Sequence, residues 1–186
     1  MMKFRVKYVI FLDVDGVLNN TNYTTKYYDK YGKDAYFRVV NEDFDLFDPK
    51  SLKYIRKLVD TFGSELLIVI SSTWRRNLRA YNKVIDKIMD GTNAYNVLID
   101  RTEVRADAIR GLEIRDYLEN NSDILEDANF VIIDDDDFDI IDYKDVPDYS
   151  HNFVKCSHEE GFKKNEYKRA LKILRGDYVE SYRRNI

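Results

Sequence analysis

Short apolar runs alternating with stretches of helical period constrain this chain more than any other feature, because that alternation is the pattern of a parallel sheet covered by helices on both faces. Five runs qualify as strands: residues 8–12, 66–71, 96–99, 130–133 and 152–155. Each is apolar enough to be buried on both sides. Between them, Leu52, Ile55, Leu58, Val59 and Phe62 mark one helix face, and Leu78, Tyr81, Ile85, Ile88 and Met89 mark another. Ile114, Tyr117 and Leu118 mark a shorter helix, and Tyr167, Ala170, Leu171 and Leu174 a last one that Gly176 ends. A length of 186 residues fits one domain over 1–186, and 44% hydrophobic residues with only two prolines and seven glycines argue against disorder or a fibrous repeat.

Residues 19–48 do not fit the alternation. They are rich in tyrosine, lysine and asparagine, lack strong periodicity and follow the first strand, so they read as an insertion, a small cap or flap beside a ligand site. Within it Lys26, Lys30, Lys33 and Arg38 are interleaved with Tyr23, Tyr27, Tyr28, Tyr31, Tyr36 and Phe37. Such a mixture offers phosphate contacts and stacking faces to a nucleic-acid end; an ordinary solvated hairpin is the alternative. Thirty basic against 34 acidic residues give a net charge of −4, which excludes a surface devoted as a whole to nucleic acid. The amino terminus carries Lys3, Arg5 and Lys7 before an apolar run interrupted by Asp13 and Asp15, so it predicts neither leader nor membrane span. The single cysteine, Cys156, fits a reducing compartment, and a cytoplasmic protein is expected.

Ligands of an open parallel sheet bind at the carboxyl ends of its strands. There the first strand ends in Asp13-Val14-Asp15-Gly16, the second in Ser71-Ser72-Thr73-Trp74-Arg75 and the fourth in Asp134-Asp135-Asp136-Asp137. Clustered carboxylates repel unless a cation neutralises them, and a hard divalent ion such as magnesium accepts a few carboxylates together with water and substrate phosphate. Asp13 with a member of the Asp134 run suits that role, and Gly16 allows a tight turn with the backbone close to a substrate. Ser72 reads as a helix cap, a phosphate ligand or both. Arg75 reads as a solvated helix residue, Trp74 as packing, and Asp136, Asp137, Asp139 and Asp142 as surface.

Taken in order, these residues resemble the haloacid dehalogenase superfamily of phosphotransferases over residues 8 to about 175. Phe47-Asp48-Pro49, Ile70-Ser71-Ser72-Thr73-Trp74-Arg75, Arg110-Gly111-Leu112-Glu113-Ile114 and Glu160-Gly161-Phe162 look like a small-cap subgroup that includes RNA-repair-associated domains and is similar to polynucleotide 3′-phosphatases. The resemblance implies a Rossmann-like three-layer α/β sandwich with a mainly parallel five-stranded sheet. It implies a phosphohydrolase in which Asp13 attacks phosphorus and Asp15 serves as general acid and base. Magnesium would be held by Asp13, the Asp15 carbonyl and Asp134 or Asp135. Phosphate would be bound by Ser72, with Ser71 the alternative, and by a basic residue, Arg110 in preference to Arg105 or Arg101. The substrate would be phosphorylated, a nucleotide or a nucleic-acid end. A non-catalytic module that keeps the fold and the ion to hold a partner is the rival reading.

Overall fold

The structure is a computed structural model and describes residues 6–177. Residues 1–5, on which part of the leader argument rests, lie outside the described residues. The elements are β1 (Tyr8–Leu12), α1 (Thr21–Arg38), α2 (Pro49–Phe62), β2 (Leu66–Ile70), α3 (Leu78–Met89), β3 (Leu98–Arg101), α4 (Arg110–Asn120), α5 (Ser122–Leu125), β4 (Asn129–Asp134), β5 (Phe153–Lys155) and α6 (Lys164–Leu174). The five strands form one sheet in the order β3-β2-β1-β4-β5, and every ladder in it is parallel. No described helix is long and apolar enough to cross a membrane.

Alternating side chains explain why the runs are apolar throughout. Ile10, Leu12, Ile68, Ile70, Val131 and Ile133 pack on one face against Ile55 and Leu58 of α2, Val84 and Ile88 of α3, and Ala170 and Leu174 of α6. Val9, Phe11, Leu67, Val69 and Ile132 pack on the other against Ile114 and Tyr117 of α4 and Leu125 of α5. In α3 the buried stripe is Ala80, Val84 and Ile88, with Tyr81 and Met89 at its edge; Leu78, expected on that stripe, is exposed in the first turn. Strand β3 lies two residues later than its apolar run, because it is an edge strand with mostly exposed residues and its pairing continues into Asp100 and Arg101.

Most of residues 19–48 is helical. Asn20 caps α1 by accepting a bond from the Tyr23 amide, Gly32 breaks the helix with φ 80° and ψ 176°, and a π-helical turn, Val39–Asp43, follows. Helix α1 buries no residue, so it carries no apolar stripe for periodicity to detect.

Asp48 fastens this region to the sheet layer. It caps α2, with one carboxylate oxygen accepting from the Lys50 amide at 2.8 Å and Pro49 in the first helical position. Its other oxygen accepts from Asn20 Nδ2 at 2.8 Å and from Lys163 Nζ. Gly161 completes the joint, since a Cβ there would lie 2.7 Å from the Val17 carbonyl oxygen and 2.8 Å from Ser51 Oγ. Burial alone would raise the Asp48 pKa, but the bonds from Lys163, Lys50 and Asn20 hold it below the ordinary 3.8. A group with a depressed folded pKa contributes stability above the unfolded value and loses it as pH falls through the folded value. Asp48→Asn is therefore expected to cost about 1.5–3 kcal/mol in urea unfolding at pH 7. The gap from the unsubstituted protein should shrink below about pH 4, and a gap independent of pH would count against the assignment.

Candidate active site

Register brings the chemistry together. Leu12 lies opposite Ile70 on one side and Ile133 on the other, so Asp13, Ser71 and Asp134 leave the sheet at one level. The Asp13 amide donates to the Ile133 carbonyl and the Ser71 amide to the Leu12 carbonyl, each at 3.0 Å. Beyond Asp13 the Val14 carbonyl accepts from the amides of Val17, Leu18 and Asn19, which turns the chain away from the strand direction. Asp13 and Asp15 therefore do not share a face: Asp13 is buried and Asp15 is exposed.

The carboxylates that do meet are those of Asp13, Asp134 and Asp135, each offering an oxygen within 4.8 Å of the others. Gly16 makes the third member possible. It adopts φ 71°, and a Cβ on it would lie 2.1 Å from Asp135 Oδ2 and 2.8 Å from Asp135 Cβ. A rotamer change cannot clear both contacts. Gly16→Ala should lower stability by about 1–3 kcal/mol in thermal melting and displace Asp135; an unchanged melting temperature would contradict this packing.

Arg110, the first residue of α4, reaches into the cluster, and its Nη1 donates to Asp13 Oδ1 at 2.5 Å and to Asp134 Oδ2. Asp139 sets its position, accepting from the Arg110 amide at 3.0 Å through its side chain and from the Gly111 amide through its carbonyl. The acidic run thus supplies a helix anchor as well as surface. The other two arginines are engaged elsewhere: Arg105 pairs with Asp107 and Asp116, while Arg101 donates to the Arg75 carbonyl and lies over the Tyr81 ring.

Burial raises the Asp13 pKa well above the ordinary carboxylate value, and the neighbouring Asp134 raises it further against the pull of Arg110. Asp134 is pushed up to about 6, again first by burial, with Arg110 opposing. Burial disfavours the charge on Arg110, yet the two carboxylates hold its guanidinium protonated more firmly than usual. One guanidinium thus leaves a net negative group of three carboxylates. An oxygen-only donor set of this kind fits a hard divalent cation.

Around the cluster, Asp15 is held by two donors: Asn19 Nδ2 at 2.8 Å on one oxygen and Trp74 Nε1 at 2.9 Å on the other. Trp74 packs on Phe47, with ring centroids 5.5 Å apart, so the indole both packs and orients a carboxylate. Ser72 is buried and its Oγ meets the Trp74 amide only at 3.5 Å; Ser71 Oγ is buried without a hydrogen-bond partner among the described residues.

Arg75 is not solvated. It is 3% exposed, donates to the carbonyls of Ser71, Ser72 and Thr102, and pairs with the equally buried Glu113 of α4. It therefore clamps the loop after β2 to β3 and α4. His158, which the sequence reading did not single out, places Nδ1 2.6 Å from Asp135 Oδ2. Its proximity in sequence to Glu160-Gly161-Phe162 was the available signal.

An all-parallel sheet with an acidic pair ending its central strand, and a second acidic pair ending the next, defines a haloacid dehalogenase-type α/β protein. Residues 9–167 match the family described as the HAD domain in Swiss Army Knife RNA repair proteins, and the chain belongs to that family. No curated protein and no solved structure matches the chain.

Proposed function

We propose that this chain is a magnesium-dependent phosphomonoesterase acting through an aspartyl-phosphate on a nucleotide or nucleic-acid terminal phosphate, in the cytoplasm. The observation that carries the proposal is the meeting of Asp13, Asp134 and Asp135 at the carboxyl edge of the sheet, with Arg110 paired to the first two. Membership of a family named for RNA repair supports the substrate class.

In this reading Asp13 is the nucleophile: one carboxylate oxygen attacks phosphorus and the leaving oxygen departs on the opposite side. Asp13, the Asp15 carbonyl, Asp134 and Asp135 are the residues that would hold magnesium, which when bound supplies positive charge to the phosphoryl oxygens. Arg110 binds the phosphoryl group beside Asp13 and limits repulsion between its charge and the carboxylates. The Ser72 hydroxyl and the backbone at Gly16 bind the remaining oxygens. Asp15, oriented by Trp74 and Asn19, donates a proton to the leaving oxygen and later takes one from the water that hydrolyses the intermediate. Residues 19–48 form a small cap on a single catalytic domain, and so leave room for a macromolecular end.

Purified protein with magnesium should hydrolyse p-nitrophenyl phosphate, and should turn over 3′-phosphorylated oligonucleotides with higher kcat/KM than small sugar phosphates. Absence of turnover on every nucleotide, sugar and nucleic-acid phosphate, with ion binding retained, would replace this reading with that of a non-catalytic binding module.

A further inference from the structure

A cavity of about 250 Å³ is lined by Asp15 and Gly16, next to the carboxylate cluster. Tyr36, Val40, Leu46, Trp74 and His158 line it as well. We propose that this cavity is the pocket for the terminal nucleoside of the substrate. The proposal rests on the reading of Asp15 as the residue facing the leaving oxygen, and it assigns what lies on the far side of that oxygen.

Four observations converge on a nucleoside. The volume is below the roughly 300–1,000 Å³ of pockets that enclose drug-sized ligands, which suits one nucleoside. Tyr36 and Trp74 provide aromatic walls for a base, and base–aromatic stacking favours any base over an aliphatic group of the same size. Tyr36 has T-shaped contacts with Tyr28 and Phe37, and Trp74 is packed between Phe44 and Phe47 and bonded to Asp15, so the indole is held in place before a ligand arrives. His158, whose Nδ1 is occupied by Asp135, has no partner for Nε2 among the described residues, so that nitrogen is left for a ribose hydroxyl or a base edge.

The pocket is assembled from distant parts of the chain. The His158 carbonyl accepts from the Thr21 amide and the Glu159 carbonyl from the Asn22 amide, which seats the start of α1 against the turn that carries the imidazole. Thr24, one turn further along α1, also lines the cavity.

Trp74 is the only tryptophan in the chain, so its fluorescence reports this cavity directly. Ribonucleosides without phosphate, titrated into the protein with excitation at the red edge of the indole band, should change the emission saturably. Ribose and inorganic phosphate should not. Tyr36→Ala, which removes one wall, and Thr24→Phe, which fills the space from α1, should each weaken the titration about tenfold or more. Far-UV circular dichroism checks that both variants remain folded. No saturable change with any of the four nucleosides, a response to ribose equal to that for nucleosides, or unchanged titrations in folded variants would overturn the assignment. The measurement needs no turnover, so nucleoside binding by a protein that hydrolyses no phosphate would sink the phosphatase reading alone.

Discussion

Asp13→Asn should abolish phosphatase turnover, by on the order of 10⁴-fold or more, while the protein remains folded. The amide cannot form the acyl-phosphate. The same substitution has a second readout of opposite sign. Because the folded state raises the Asp13 pKa, the native protein binds that proton more tightly than the unfolded chain does. Stability without a divalent ion therefore falls as pH rises above the unfolded value near 4. The asparagine variant escapes this penalty, so at pH 7 in chelator its melting temperature should equal or exceed that of the unsubstituted protein. Magnesium should then raise the melting temperature of the unsubstituted protein more than that of the variant. Retained turnover would remove Asp13 from the chemistry; a large drop in melting temperature in chelator would show that its charge stabilises the fold instead.

The largest effect on stability is expected at Glu113. Its carboxylate faces Arg75 with both side chains almost wholly excluded from solvent, and burial already lowers the Arg75 pKa against the support of Glu113. Glu113→Gln leaves a buried guanidinium without a counter-charge, which typically costs about 3–5 kcal/mol. The pair as a whole is a different matter, since two buried charges replaced together by apolar groups of similar volume are often tolerated. Arg75→Met combined with Glu113→Leu should recover most of the lost stability in urea unfolding. It should not recover activity, because Arg75 also holds the carbonyls of Ser71 and Ser72. Equal unfolding midpoints for the single and double variants would refute the pairing argument, and full activity in the double variant would refute the clamp.

What the sequence disclosed was whatever carries a local pattern. Strand β1 occupies the run from which it was read, and β2, β4 and β5 differ from theirs by at most a residue at either end, because fully buried parallel strands are uninterrupted apolar runs. The edge strand β3 was displaced since its exposed residues follow no such rule. Helix α1 was read as irregular, as a helix that buries nothing is indistinguishable from a polar loop. At the site, Asp13, Ser72 and the Asp134-Asp135 pair were visible as polar residues immediately after apolar runs. The environment of Arg75 was not, because it depends on Glu113, whose partnership across the fold leaves no local trace. His158 reaches Asp135 through the pairing of β5 with β4 and the turn that ends at Gly161, and its nearness to Glu160-Gly161-Phe162 was the one signal of it in the sequence.

The place of β1 in the middle of the sheet also dictates how this protein must be made. It is synthesised before either neighbour, because both ladders that flank it need partners, Leu66–Ile70 and Asn129–Asp134, that come much later in the chain. At the usual pace of about 5–20 residues per second, the nascent strand waits seconds for the first partner and longer for the second. Throughout that interval Val9, Ile10, Phe11 and Leu12 are a sticky segment with both edges open, the condition in which chains aggregate or recruit chaperones. Folding dominated by such distant pairings is also slow. The strand that presents Asp13 is thus made before both of its partners and is among the last to be secured.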